Sequence, residues 1–264
     1  MKRKNILSTV LLICFALIFL VSAFFLVREI TERRRVVTYV SSIQDEYVPQ
    51  IPPPPAETPE NDESETDSDA EAPATAERVN TDNPSVQKLI ADYPDTVGWL
   101  TVTGAEISHP FVHTDDNYSY LWADLDGNYI RGGTLFMDCY NSRDFSDKIT
   151  VIYGHNMRDG TMFGQLLKYL DFEYLLAHPD VYISHPDRTE HYTIAACFVA
   201  DGADNIVFDR IGTTENIQDV VDFIYSQTDV NSDTPLDGES NLLVLSTCHR
   251  SYETARTFLI CIPD

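Results

Sequence analysis

The sequence predicts a mainly β domain, a closed or nearly closed barrel with inserted helices, carried behind one membrane-spanning helix and an acidic linker. Three observations predict it. Seven short β-branched or aromatic runs, each bounded by Gly, Pro, Asn or Asp, follow one another after residue 84. Ile6 to Val27 is a run of 22 residues without a charge. Between the two, Val48 to Pro84 carries four consecutive prolines at 52–55 and a run of Glu, Asp, Ser and Thr with almost no apolar side chains.

Taken in order, residues 1–5 form a basic stub, expected to be cytoplasmic. Residues 6–27 are expected to be an uncleaved signal anchor. Val21 and Ala23 have the spacing of a cleavage site, but the apolar run exceeds the usual h-region of a signal peptide. Lys2, Arg3 and Lys4 precede the run and Arg28, Arg33, Arg34 and Arg35 follow it, so counting positive charges leaves its orientation open. Residues 28–83 read as a juxtamembrane segment and a disordered, Pro-stiffened, self-repelling spacer that would hold the rest away from the bilayer. Ordered structure is expected from about residue 84, and 84–264 is long enough for a single core.

Within 84–264, Val86, Leu89 and Ile90 mark a short amphipathic helix that Pro94 ends. The strand candidates are Val97–Val102, Thr134–Met137, Ile149–Tyr153, Val181–Ser184, Tyr192–Ala200, Asn241–Thr247 and Arg256–Ile262. Phe163–Leu170 reads as helical, and Ile217, Val220, Val221 and Ile224 stand at helical spacing over Thr214–Gln227, behind a threonine cap.

Composition excludes several functions. The chain carries 18 Lys and Arg against 42 Asp and Glu, a formal net charge of -24. Nucleic acid is a poor partner for such a chain, because phosphate binding needs clustered cations. The field of the folded part would favour cationic substrates. Cys14, Cys139, Cys197, Cys248 and Cys261 are too scattered for a disulfide framework, and no C-x-x-C pair suggests zinc or redox chemistry. No Gly-rich phosphate loop follows a strand, so no cofactor is expected.

Chemistry concentrates at two strand ends. The apolar strand Leu242–Thr247 delivers Cys248 to a polar turn, and a second apolar strand opens with Arg256. If the two stand directly opposite in an antiparallel hairpin, their Cβ atoms are about 5 Å apart on one face. A guanidinium there favours the reactive thiolate and offers fixed donors to an oxyanion. Bland readings stand beside these: Cys248 as a small buried hydrophobe, Arg256 as a rim residue paired with Glu253. His155 follows Ile149–Tyr153 through Gly154, also at a strand end. Six other histidines compete with it by spacing alone, and three of them, His109, His178 and His185, precede prolines. Alternation puts Cys261 on the face opposite Arg256, and Cys139, Cys197 and Cys261 read as structural. Asn117 and Leu121, in D-N-Y-S-Y-L, read as a turn followed by a short helix.

L-S-T-C at 245–248 with an arginine eight residues on, and Y-G-H-N at 153–156, resemble the sortases. V-G-W-L at 97–100, D-N-Y-S-Y-L at 116–121, G-T-L-F-M-D at 133–138 and T-M-F-G at 161–164 resemble segments of class B. So do the 93 residues from His155 to Cys248, with a helix inserted before the cysteine strand. The resemblance implies an eight-stranded barrel on a Gram-positive surface, N-terminally anchored, with the catalytic domain, 84–264, outside the cell membrane. It implies a cysteine transpeptidase. Cys248 would attack a Thr peptide bond of a C-terminal sorting signal, and a cell-wall peptidoglycan amine would resolve the thioacyl enzyme. His155 would be acid and then base, Arg256 would hold the carbonyl oxygen, and Asn117, Leu121 and Ser246 would line the signal-peptide groove. His249 departs from the pattern, since an acidic residue follows the nucleophile in some class B members. Two other functions use the same residues differently: a secreted cysteine peptidase or wall-crosslinking transpeptidase, and a non-catalytic surface binding module in which Cys248 and His155 merely pack.

Overall fold

The computed structural model describes residues 2–51, 78–79, 82–203 and 205–264. Most of the proposed acidic spacer, 52–77 and 80–81, lies outside the described residues. The elements are helix α1 (Lys2–Tyr47), β1 (Arg78–Val79), α2 (Pro84–Asp92), β2 (Thr96–Val102), β3 (Ile107–Val112), β4 (Leu135–Met137), β5 (Ile149–Tyr153), α3 (Phe172–Ala177), β6 (Asp180–Ser184), β7 (Thr189–Asp201), α4 (Ile206–Asp209), α5 (Gln218–Gln227), β8 (Leu242–Cys248) and β9 (Ala255–Pro263).

Eight strands close the barrel in the order β7-β6-β2-β3-β4-β5-β8-β9, with β9 returning to β7, and the two-residue β1 adds to β7. The neighbours are antiparallel except β3–β4 and β5–β8, which are parallel. The expected eight-stranded barrel is the observed one.

Strand alternation explains why β8 is apolar almost throughout. Leu243 and Leu245 point into the barrel with Leu100, Phe111, Ile152 and Leu259. Leu242 and Val244 point outward, where Val220, Val221 and Ile224 of α5 cover them. Both faces of the strand are therefore buried, and a one-residue slip would put Ser246 and Cys248 on the interior face.

Several elements differ from the sequence reading. Strand β3 was not anticipated, because Pro110 interrupts its run. The proline is tolerated because β4 pairs with β3 only from Phe111 onward, and α1 lies over that stretch of the strand. Phe163–Leu170 is a 3-10 segment over Gly164–Leu170 that leads into α3, which Asp171 caps through its carboxylate. Helix α5 begins at Gln218, not Thr214, and its N-cap Ile217 makes no side-chain capping bond. Instead, Asn216 Oδ1 accepts from the Gln218 N–H. No helix forms at 117–121: Asp116 Oδ1 accepts from the N–H groups of Tyr118 and Ser119 and fixes a turn there.

Helix α1 does not stop where the apolar run stops. It continues for 20 residues beyond Val27, and Val36, Ile43 and Tyr47 on its C-terminal part are buried against the barrel. Gln44 Nε2 donates to the Ser108 carbonyl on β3, and Tyr47 Oη donates to Asp92 of α2. The residues at 28–47, read from sequence as a tether, thus dock on the domain.

Candidate active site

The site starts from a parallel strand pair. Tyr153 at the end of β5 stands in register with Ser246 near the end of β8. Two residues further on, His155 and Cys248 leave the sheet at the same barrel end. Three hydrogen bonds fasten these exits: Gly154 N–H to the Ser246 carbonyl at 3.2 Å, Thr247 Oγ1 to the Gly154 carbonyl at 2.6 Å, and Asn156 Nδ2 to the Cys248 carbonyl at 2.8 Å. Gly154 is required there, since a Cβ would come within 2.5 Å of Leu135 Cδ2 and 2.7 Å of the Phe163 ring.

The antiparallel pair β8–β9 adds the third group. Cys248 is directly opposite Arg256, the last pair of that ladder, and both lie on the outer face. Residues 242–247 are buried, whereas Cys248 is exposed, so the strand lifts its thiol into solvent only at the final position. Among the described residues Arg256 makes no ion pair, with Glu253 or any other carboxylate. Its Nη1 donates to the Ala255 carbonyl at 3.1 Å. The missing side chain of Gly202 leaves room for the arginine stem, whose Cγ would lie 2.6 Å from a Cβ there.

His155 is half-buried and held from one side. Its Nε2 lies 2.8 Å from the Leu121 carbonyl oxygen. Only a protonated nitrogen can donate to that acceptor, so in the neutral ring Nδ1 carries the lone pair. The Trp122 ring covers the imidazole at 4.5 Å between centroids. Burial pushes the His155 pKa below its ordinary value, and the Leu121 carbonyl, which favours the imidazolium, opposes this in part.

The residues expected to line a peptide groove have different surroundings. Asn117 spends both ends of its amide on the protein: Nδ2 donates to Asp138 and Oδ1 accepts from the Cys139 N–H, each at 2.9 Å. Leu121 is half-buried and contributes its carbonyl to His155. Ser246 is buried on the strand face that carries Cys248, and among the described residues its hydroxyl has no hydrogen-bond partner. His249 is turned toward its own hairpin, with Nδ1 3.0 Å from Ser251 Oγ.

Sequence reasoning missed Trp122, Asp138 and Tyr153. Asp138 is buried and ties three segments together, accepting from Asn117, Tyr153 Oη and the Tyr140 N–H. Burial, with Asp138 beside it, raises the Tyr153 pKa strongly and keeps the phenol a donor. Tyr153 and Asp138 both sit inside the quoted motifs, Y-G-H-N and G-T-L-F-M-D, which was the available signal. Trp122 sits one residue past D-N-Y-S-Y-L and had none.

Cys197 and Cys261 are buried, Cys261 in the barrel interior, and burial raises both thiols. All five cysteines are free. Among the described residues no three His, Cys, Asp or Glu side chains are grouped to hold a metal ion.

An exposed thiol, an imidazole with one fixed nitrogen and an unpaired guanidinium converging on one barrel end can form and resolve an acyl thioester. Known proteins carry the same frame. No family model matches the chain. Over 166 residues it is 34% identical to Sortase B of Listeria monocytogenes, covering 61% of this chain and 67% of the relative. The solved structure of Sortase B from Listeria monocytogenes aligns with a TM-score of 0.58 at 30% identity, over 67% of this chain and 98% of that one. A Staphylococcus aureus sortase B–substrate complex aligns with a TM-score of 0.61 at 25% identity, over 70% of this chain and 86% of that one. With this barrel, this strand-end chemistry and these relatives, the chain belongs to the class B sortases, a family of cysteine transpeptidases.

Proposed function

We propose that this chain is a membrane-anchored sortase that cleaves a Thr peptide bond in the C-terminal sorting signal of secreted proteins and joins the new carboxyl end to a cell-wall amine. The observation that carries the reading is the register of two neighbouring ladders. Tyr153 opposite Ser246 and Cys248 opposite Arg256 bring thiol, imidazole and guanidinium to one end of the barrel.

In this reading the Cys248 thiolate attacks the threonine carbonyl carbon and the carbonyl oxygen becomes an oxyanion facing Arg256. The C–N bond then breaks. His155 gives a proton to the departing amine, leaving a thioester on Cys248. A peptidoglycan amine attacks that thioester, His155 takes the proton it loses, and the C–S bond breaks to release the Cys248 thiolate as the new amide forms. The neutral ring holds its Nε2 proton against Leu121, so Nδ1 is the atom that receives and returns protons.

Asn117 orders the groove wall through Asp138 and Cys139, Leu121 seats His155, and Ser246, buried on the strand face that carries Cys248, lies beneath the signal peptide. The solved relative from Staphylococcus aureus is a substrate complex, which supports a peptide in this groove. Ile6–Val27 anchors the chain, with residues 1–5 cytoplasmic and the barrel on the outer surface of a Gram-positive cell. Helix α1 is long and apolar enough to cross a membrane.

The test is a pentapeptide signal library presented to the protein with and without an added amine, read by mass spectrometry. A thioester on Cys248, and an amide product that replaces the acid when amine is present, are the expected results. Hydrolysis indifferent to amine would make the chain a peptidase. A Cys248→Ala variant that still cleaves would remove the mechanism.

A further inference from the structure

The apolar run and the docked part of α1 are one unbroken helix. At 1.5 Å per residue, Ile6–Val27 spans about 33 Å, close to the ~30 Å of a hydrocarbon core. If the run crosses the bilayer, its outer boundary falls near Val27. Phe24, Phe25, Leu26 and Val27 are all exposed in the protein, as lipid-facing side chains are.

The barrel reaches that level. Arg131 Nη1 donates to Glu29 Oε2 at 2.6 Å. Phe25, Arg28, Glu29 and Glu32 of α1 line one open cleft of about 280 Å³ together with Tyr129 and Arg131 of the barrel. Tyr129 and Arg131 therefore stand level with α1 residues 25–32, within about a turn or two of Val27. They belong to a hairpin in which Ala123 pairs with Tyr129 and the Ile130 N–H donates to the Trp122 carbonyl. Asp124 fixes its tip by accepting from the N–H groups of Asp126 and Asn128. Tyr129 is 59% exposed and Trp122 48% exposed. Tyrosine and tryptophan are the side chains that favour the headgroup layer.

We propose that the Trp122–Arg131 hairpin is a second membrane contact, lying in the lipid headgroup layer beside the point where α1 leaves the bilayer. Tyr129 supplies the interfacial ring and Arg28 faces lipid phosphate, while Arg131 stays paired with Glu29 and fastens the hairpin to α1. The exposed Asp126 on the same hairpin opposes an anionic surface, so rigid attachment to α1 and the aromatic ring hold the contact rather than net charge. Because Trp122 covers His155, the hairpin seated on the membrane is also the one that seats the imidazole. The site then takes its peptide beside the bilayer surface instead of at the end of a long tether. The inference rests on the reading of Ile6–Val27 as membrane-spanning.

The test uses the full chain in mixed phosphatidylcholine and phosphatidylglycerol bilayers carrying fluorescence-quenching lipids labelled either at the headgroup or deep in the acyl chain. In a Trp122→Phe background the remaining tryptophan is the buried Trp99. Single tryptophans are then added as Tyr129→Trp, Phe19→Trp and Val48→Trp. Val48 follows the docked end of α1, about 30 Å of helix beyond Val27. Expected are loss of the position 129 signal with the headgroup label, loss of the position 19 signal with the deep label, and no loss at position 48. A position 129 signal unaffected by either label, with position 19 quenched, overturns the hairpin contact and leaves the anchor. An unquenched position 19 overturns the anchor itself.

Discussion

Tyr39 Oη accepts the backbone N–H of Leu125 at 2.8 Å, and this bond ties α1 to the loop whose other side holds His155. The tie is reinforced by Glu29 with Arg131 and by Val36 against Gly132, where an added Cβ would meet Val36 Cγ1 at 3.0 Å. Four expectations follow from this arrangement and from the strand ends it faces.

A soluble domain beginning at residue 84 loses α1, while one beginning at residue 28 keeps its docked turns. Fully burying a side chain such as Val36 or Ile43 is worth about 1.5–3 kcal/mol. For a domain of this size the shorter form should melt roughly 10 °C lower. Scanning fluorimetry of the two forms measures this, and equal melting temperatures would mean that α1 contributes nothing to the fold.

Arg256→Lys should form the thioester more slowly by about 10²–10³-fold, the typical cost of losing one oxyanion donor. A lysine keeps the charge but not the planar fork. Single-turnover acylation measured by mass spectrometry reads the step directly, and wild-type acylation would move the oxyanion role to backbone amides.

Trp122→Ala uncovers one face of His155. With less burial, the imidazole pKa should rise toward its ordinary value, and the ring should be less well seated. NMR titration of His155 reads the first effect. A fall in kcat of about tenfold to a hundredfold, with KM little changed, reads the second. An unmoved titration would show that the indole is packing only.

His109 is buried beneath α1, and burial lowers its pKa to about 4. Glu106 and Asp159 line the same cleft. A folded value below the ordinary one of about 6.5 means that the unfolded chain binds the proton more readily. Stability is therefore intact above pH 6.5 and lost as the pH falls from there toward 4. Melting temperature against pH should decline over that window in the protein and less steeply in His109→Gln.

Much of the frame could be read along the chain because strand patterning is local. Seven of the barrel strands announced themselves by β-branched and aromatic runs, and the Cys248–Arg256 opposition followed from a short turn between two of them. Pro110 concealed β3, since its acceptability depends on where β4 begins to pair, a tertiary fact. The reach of α1 was hidden by the charged stretch from Arg28, which ends the apolar run, to Arg35. Yet Val36, Val40, Ile43 and Tyr47 repeat at helical spacing beyond them and were the overlooked signal. Asp138 and Trp122 could not be found that way, because each owes its place at the site to partners from separate segments.

The parallel pairing of β5 with β8 also governs when activity can appear. The two strands are separated by α3, β6, β7, α4 and α5, and the ladder that aligns their ends closes a long loop at an entropic cost that only the finished barrel offsets. A partly synthesised chain can display a cysteine, but not one with its imidazole and guanidinium neighbours. Acyl transfer is thereby coupled to completion of folding, and an immature enzyme has no means of modifying a peptide it meets too early.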